Sequence, residues 1–147
     1  MTTTAFITLP VSDLERSKRF YTGLGWSLHP VFSDAGAVLI SDTVHVMVLS
    51  EDRHHHLVGP ERPGSGAGSS VVSALGVDRP EQVDAIVDKA LAAGATEVDA
   101  QDYGFLRSRS FRDPDGHLWE ILWVEPATTP DRPAPRSAAA PTTGPGC

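Results

Sequence analysis

Cysteine is almost missing from this chain: the single one, Cys147, is the last residue. No internal disulfide can form, and the simplest reading of such sparing use is a cytoplasmic protein. Long hydrophobic runs are also missing. None approaches the roughly 20 apolar residues that a membrane helix needs, so no membrane partner is expected. Positive charge is scarce, with 12 basic against 19 acidic residues and a formal charge of -7. Phosphate backbones are held by clustered Lys and Arg, so nucleic acid is a poor partner. The first residues, Met1-Thr2-Thr3-Thr4-Ala5, lack the basic and apolar regions of a signal peptide. What remains is a length of 147 residues that suits one domain with a real core.

One stretch organises the rest, running from Ser110 to Trp123. It reads as a strand, a tight turn and a second strand. Pro114-Asp115-Gly116 supplies the turn, because proline presets a negative φ and glycine tolerates a positive one. After the turn Leu118, Glu120 and Leu122 share one face, and Trp119, Ile121 and Trp123 the other. An acid at the centre of an apolar strand is out of place unless its face lines a cavity. Glu120 is therefore the first candidate for function.

Upstream, residues 5–11 read as a strand with Ile7, Leu9 and Val11 on one face. Ser12 is placed to cap a helix, with Glu15 completing a capping box. Leu14, Ser17, Tyr21 and Leu24 recur at helical spacing, and Gly23 and Gly25 end the helix near Thr22. Phe20 and Tyr21 read as core or cavity-edge aromatics. Three strands follow at 26–32, 35–40 and 43–49. Residues 51–69 read as a mobile crossover loop rich in glycine and proline. It carries His54-His55-His56, whose consecutive side chains do not readily converge on one tetrahedral metal.

The pattern then restarts. A strand at 70–77 leads into a helix with Pro80 in its first turn and Val83, Ile86, Val87, Ala90 and Leu91 as its apolar stripe. Gly94 stops it, and strands at 95–100, 106–112 and 117–124 complete the set. The order βαβββ occurs twice. Leu9-Pro10-Val11-Ser12-Asp13 corresponds to Leu75-Gly76-Val77-Asp78, at a period of about 65 residues that reads as an internal duplication. Residues 126–147 hold no large apolar side chain and read as a disordered Pro/Ala/Thr-rich tail.

Asp113-Pro114-Asp115-Gly116 followed by Glu120 in a strand resembles the closing motif of the vicinal oxygen chelate superfamily. That superfamily contains glyoxalase I, extradiol dioxygenases, fosfomycin-resistance enzymes and bleomycin-binding proteins. Its other marker, a strand running into Asp-Leu and a helix with an aromatic pair, stands here as Leu9 to Asp13, Leu14 and Phe20-Tyr21. Leu9-Pro10-Val11, Phe32-Ser33-Asp34, Val46 to Leu49 and Gln101 to Gly104 are similar to the lactoylglutathione-lyase-like branch. The resemblance covers residues 5–125. It implies an α+β fold of two tandem βαβββ modules forming a half-open curved sheet, the glyoxalase/bleomycin-resistance/dioxygenase fold. Residues 1–125 are one domain on this reading, with module 1 at 5–50, a crossover at 51–69 and module 2 at 70–125.

With the cup that the resemblance implies, strand parity assigns faces. Ile7, Leu9, Val11, Val44, Val46, Val48, Val71, Leu75, Trp119, Ile121 and Trp123 point to the helices. Phe6, Thr8, His45, Met47, Val72, Ala74, Ser108, Ser110, Leu118, Glu120 and Leu122 point into the cup. Metal-using relatives place a His or Glu on each of several cup strands. Of those positions only Glu120 matches, since Phe6, Met47 and Val72 hold the others, and such side chains do not bind a hard or borderline divalent ion. No cofactor is expected, although a divalent metal held by His45 and Glu120 stays open.

The implied function is a cup that takes a small organic ligand, in a homodimer, without metal. Two alternatives are a lyase, isomerase or dioxygenase relative using His45 and Glu120 as the catalytic pair, and a non-catalytic interaction module. Ligand contacts fall on Thr8, Met47, Val72, Tyr103, Ser108, Ser110, Leu118 and Leu122. A donor to Glu120 is expected nearby, and Ser108 and Ser110 are candidates. Gln101 to Gly104 is placed at the rim as a loop able to close over a substrate, and His117 is read as structural.

Overall fold

The computed structural model describes residues 2–30, 36–59 and 71–126. All but Pro126 of the tail at 126–147, and 60–69 of the crossover, lie outside them. The elements are β1 (Ala5–Val11), α1 (Leu14–Gly23), β2 (Ser27–Leu28), β3 (Ala37–Leu39), β4 (Val44–Ser50), α2 (Glu51–Val58), β5 (Val72–Gly76), α3 (Pro80–Ala92), β6 (Thr96–Asp102), β7 (Leu106–Arg112) and β8 (Leu118–Val124).

They form two open mixed sheets of identical strand order, β1-β4-β3-β2 and β5-β8-β7-β6. In each, the first strand runs parallel to the last and the middle ones are antiparallel. This is the α+β architecture of two βαβββ modules. The half-open sheet is divided, because no ladder joins β1 to β5 among the described residues.

Both sheets turn one face to a common core. Val38, Val46 and Val48 come from the first sheet, and Phe111, Trp119 and Ile121 from the second. Phe20, Tyr21 and Leu24 of α1 and Val83, Val87 and Ala90 of α3 complete the cluster. Ring contacts bind the modules: Phe20 lies 6.2 Å from Phe111, and Tyr21 and Trp26 lie 5.8 and 5.6 Å from Trp119. Each fully buried side chain of this size contributes about 1.5–3 kcal/mol. The alternation expected of 118–124 is therefore what the core selects. Val71 is the exception on the helix-facing side: it precedes β5 and is exposed.

Two local readings are corrected. The cap of α1 is Asp13 and not Ser12: Asp13 has extended backbone (φ -139, ψ 105) and its carboxylate accepts from Arg16 N. Ser12 is engaged elsewhere. Residues 51–58 are not loop but α2, capped by Ser50, whose hydroxyl accepts from Arg53 N. Glu51 and Asp52 in its first turn and His55 and His56 in its last complement the helix dipole. Consecutive histidines on a helix point about 100° apart, so the run still cannot enclose one ion. None of the described helices is long and apolar enough to cross a membrane.

Candidate functional site

Parity places the notable side chains on the two faces that turn away from the core. On the second sheet Glu120 lies between Ala74 of β5 and Ser110 of β7 in register. Leu118 and Leu122 flank it along β8, with Val72 opposite Leu118 and Ser108 opposite Leu122. Gln101 and Asp99 of β6 extend this face past Ser108 and Ser110, and the Gln101 amide donates to Asp99.

The Glu120 carboxylate makes no hydrogen bond or ion pair with any described residue. Ser108 and Ser110 share its face but do not donate to it, contrary to expectation. The physical reason is solvent: Glu120 is only half-buried, so water can satisfy an acid that a sealed cup would force to find a donor.

On the first sheet, Phe6, Thr8, His45 and Met47 share the corresponding face, with Phe6 opposite His45 and Thr8 opposite Met47. The Phe6 and His45 rings meet edge to face at 4.9 Å. Phe6 is 61% exposed and Val72, on the other sheet, 51%. His45 and Glu120 thus lie on different sheets, and the chain alone does not join them through a ladder. Leu49, next on the His45 face, helps line a cavity of about 450 Å³ with Asp52, Arg53, His56 and Leu57 of α2.

A divalent metal of the kind this fold implies finds little to hold it. Among the described residues no three His, Cys, Asp or Glu converge on a common point. The Phe6–His45 ring contact fills the first-sheet position with aromatic carbon rather than a donor. Glu120 alone does not fit the need for about three protein ligands, and no chemistry is routed through an ion.

The turn at 113–116 does more than reverse the chain. Asp115 Oδ1 accepts from Ser12 N, Ser12 Oγ and Arg16 Nη2, each at 2.9 Å, and Oδ2 from Ser17 Oγ at 3.3 Å. Buried Asp113 accepts from the Tyr21 hydroxyl and from the backbone N–H of Asp115 and His117. His117 Nε2 lies 2.6 Å from Pro10 O, in keeping with its structural reading. Burial and the Asp113 charge push the Tyr21 phenol up, so it stays a donor. The two sequence motifs are thus two halves of one polar clasp between the modules.

One protein-family model matches this chain over most of its length. It covers residues 3–121 and is that of the glyoxalase/bleomycin resistance protein/dioxygenase superfamily. The chain belongs to this superfamily. Among solved structures, a glyoxalase-related enzyme from Fulvimarina pelagi is 28% identical at a TM-score of 0.66, covering 84% of this chain and 88% of that one. A glyoxalase/bleomycin resistance protein/dioxygenase family enzyme from Burkholderia phytofirmans PsJN is 17% identical at a TM-score of 0.69, covering 84% and 99%. The fosfomycin resistance protein FosX from Mesorhizobium loti is 19% identical at a TM-score of 0.61, covering 87% and 95%. The last two speak for the fold alone. No curated protein matches.

Two features of this superfamily member escaped the sequence reading. The rim segment at 101–104 is a tight hairpin: Tyr103 N donates to Leu106 O, Gly104 N to Asp102 Oδ1, and Gly104 has φ +80. Tyr103 stacks on Phe105 at 6.2 Å at its exposed tip. Arg112 shares the parity of Ser108 and Ser110, and so the cup face. The same alternation that placed the serines could have found it.

Proposed function

We propose that the cup faces bind a small organic molecule without a protein-held metal, and that a second copy of the chain supplies the missing wall. The observation that carries this is a carboxylate, Glu120, that is unpaired among the described residues and set among Val72, Ala74, Leu118 and Leu122 on a partly exposed face. Half-exposed apolar residues with one polar anchor are the composition of ligand sites. Open edges at β1 and β5, with Phe6 and Val72 beside them, favour a homodimer, because such surfaces are normally covered.

The test is a thermal-shift screen of metal-free protein against small organic compounds, with metal content measured in parallel. A ligand that binds the native state raises apparent stability. The expected result is stabilisation by an organic compound without metal, weakened in Glu120→Gln. A second reading makes the protein an enzyme in which His45 of one copy meets Glu120 of the other as base and acid. It is favoured by the ring of His45, whose one aromatic contact among the described residues is with Phe6. Stoichiometric metal that survives replacement of His54-His55-His56 but is lost in Glu120→Gln would decide for that reading.

A further inference from the structure

Four arginines have well-defined surroundings on or near the second sheet. Arg16 pairs with Asp115, Arg107 with Asp84 and Asp102, and Arg109 with Asp84, Asp88 and Glu97. Arg112 is different. Its one hydrogen bond among the described residues runs from Nη1 to Gly116 O at 3.1 Å, and it has no carboxylate partner there. A guanidinium carries five N–H donors, and a carbonyl cannot neutralise its charge.

Arg112 and Glu120 share the cup face but do not pair. Arg112 is opposite Leu118, and Ser110 is opposite Glu120, so the two charges are diagonal neighbours on adjacent strands. Such diagonal neighbours sit roughly 7–8 Å apart, and their Cβ atoms somewhat closer. The bond to Gly116 O draws the guanidinium toward the turn, away from the carboxylate. The result is a cation held toward the turn and a carboxylate on its diagonal, with Leu118 and Ser110 at the other two corners. Left empty, this arrangement keeps two half-buried charges in water without mutual satisfaction.

We propose that Arg112 and Glu120 are the two ends of a subsite for a small zwitterion, with a carboxylate or similar anion on Arg112 and an ammonium on Glu120. The short methylene spacer of such a molecule crosses the diagonal between Leu118 and Ser110. The planar fork of Arg suits a carboxylate, which it can bind through two parallel N–H bonds. This inference rests on the small-molecule reading above and narrows it to one ligand class.

The experiment is a titration of the ¹⁵N-labelled full-length chain, followed by amide shifts, with 4-aminobutyrate, butyrate and butylamine. Nile red serves as an uncharged apolar control. The expected result is that 4-aminobutyrate shifts the amides around Ser110, Leu118 and Glu120, and that each singly charged analogue binds about ten-fold more weakly. Arg112→Gln and Glu120→Gln should each lose about ten-fold toward the zwitterion. Arg112→Lys, which keeps the cation but not the fork, should lose less than Arg112→Gln, and the exchange Arg112→Glu with Glu120→Arg should retain binding in folded protein. Equal binding of butyrate or butylamine, or charge variants that bind as the parent does, would overturn the proposal. So would absence of any zwitterion shift. Nile red binding in that last case leaves the small-molecule cup standing, whereas its failure removes both.

Discussion

Asp115 gathers more side-chain and backbone donors than any other carboxylate of the clasp. Burial works against its charge, but hydrogen bonds from Ser12 and the nearby Arg16 outweigh this, so its carboxyl sits below the usual range. A value lowered in the folded state means that the unfolded chain takes up the proton more readily. The stabilisation is therefore complete above about pH 4 and drains away as pH falls through the folded value. Urea unfolding at a series of pH values should show this acid loss, with Asp115→Asn flattening it and lowering stability at neutral pH by about 2 kcal/mol. Gly36 is a second sensitive position, with φ +79 and a Cβ that would meet Val48 Cγ2 and Val48 O at 2.6 Å. Gly36→Ala should cost about 2–3 kcal/mol from strain and overpacking, read as a fall in the urea midpoint at unchanged slope. At this scale the sequence was partly legible. Glu120 stood out because an acid interrupts an apolar strand, but the choice of Asp13 over Ser12 as cap was hidden. Ser12 is drawn to a carboxylate 103 residues away, which no local pattern displays.

Among the elements, α3 was the most readable, because Val83, Val87 and Ala90 recur at helical spacing and are fully buried. α2 left no such trace. None of its residues is buried and Leu57 is 67% exposed, so its signals are a Ser50 cap and acids in the first turn rather than a stripe. A helix of eight residues with no buried side chain draws little stability from core packing. Hydrogen exchange should find its amides opening far faster than those of α1 and α3, and Leu57→Ser should change stability by less than about 0.5 kcal/mol. Protection of α2 equal to α3 would contradict this. The link from α3 to β7 is partly ionic: Arg107, then Arg109, hold the Asp84 carboxyl below its usual range. Asp84 and Arg107 are about a third exposed, so Asp84→Asn should cost only about 1 kcal/mol and less at high salt. A chemical-denaturation series with and without added sodium chloride measures both.

At the scale of the molecule, parity predicted the buried face of each strand, since hydrophobic alternation is a local property. It was silent on how the modules meet, because every strand would alternate in the same way in one curved sheet or in two. The meeting is decided by Phe20, Tyr21 and Trp26 packing on Phe111 and Trp119. The outward faces that result lead to an expected dimer, and light scattering at micromolar concentration should return twice the chain mass; a monomer would count against it. The clasp also bears on how the chain comes into being. Its partners are separated by nearly the whole domain, Ser12 to Tyr21 on one side and Asp113 to His117 on the other. During synthesis at about 5–20 residues per second, the aromatic face of the first helix is born about 100 residues before its cover, and so stands bare for roughly 5–20 seconds. The aromatic face of the first module therefore waits for the hairpin at 106–124, which both covers it and closes the clasp.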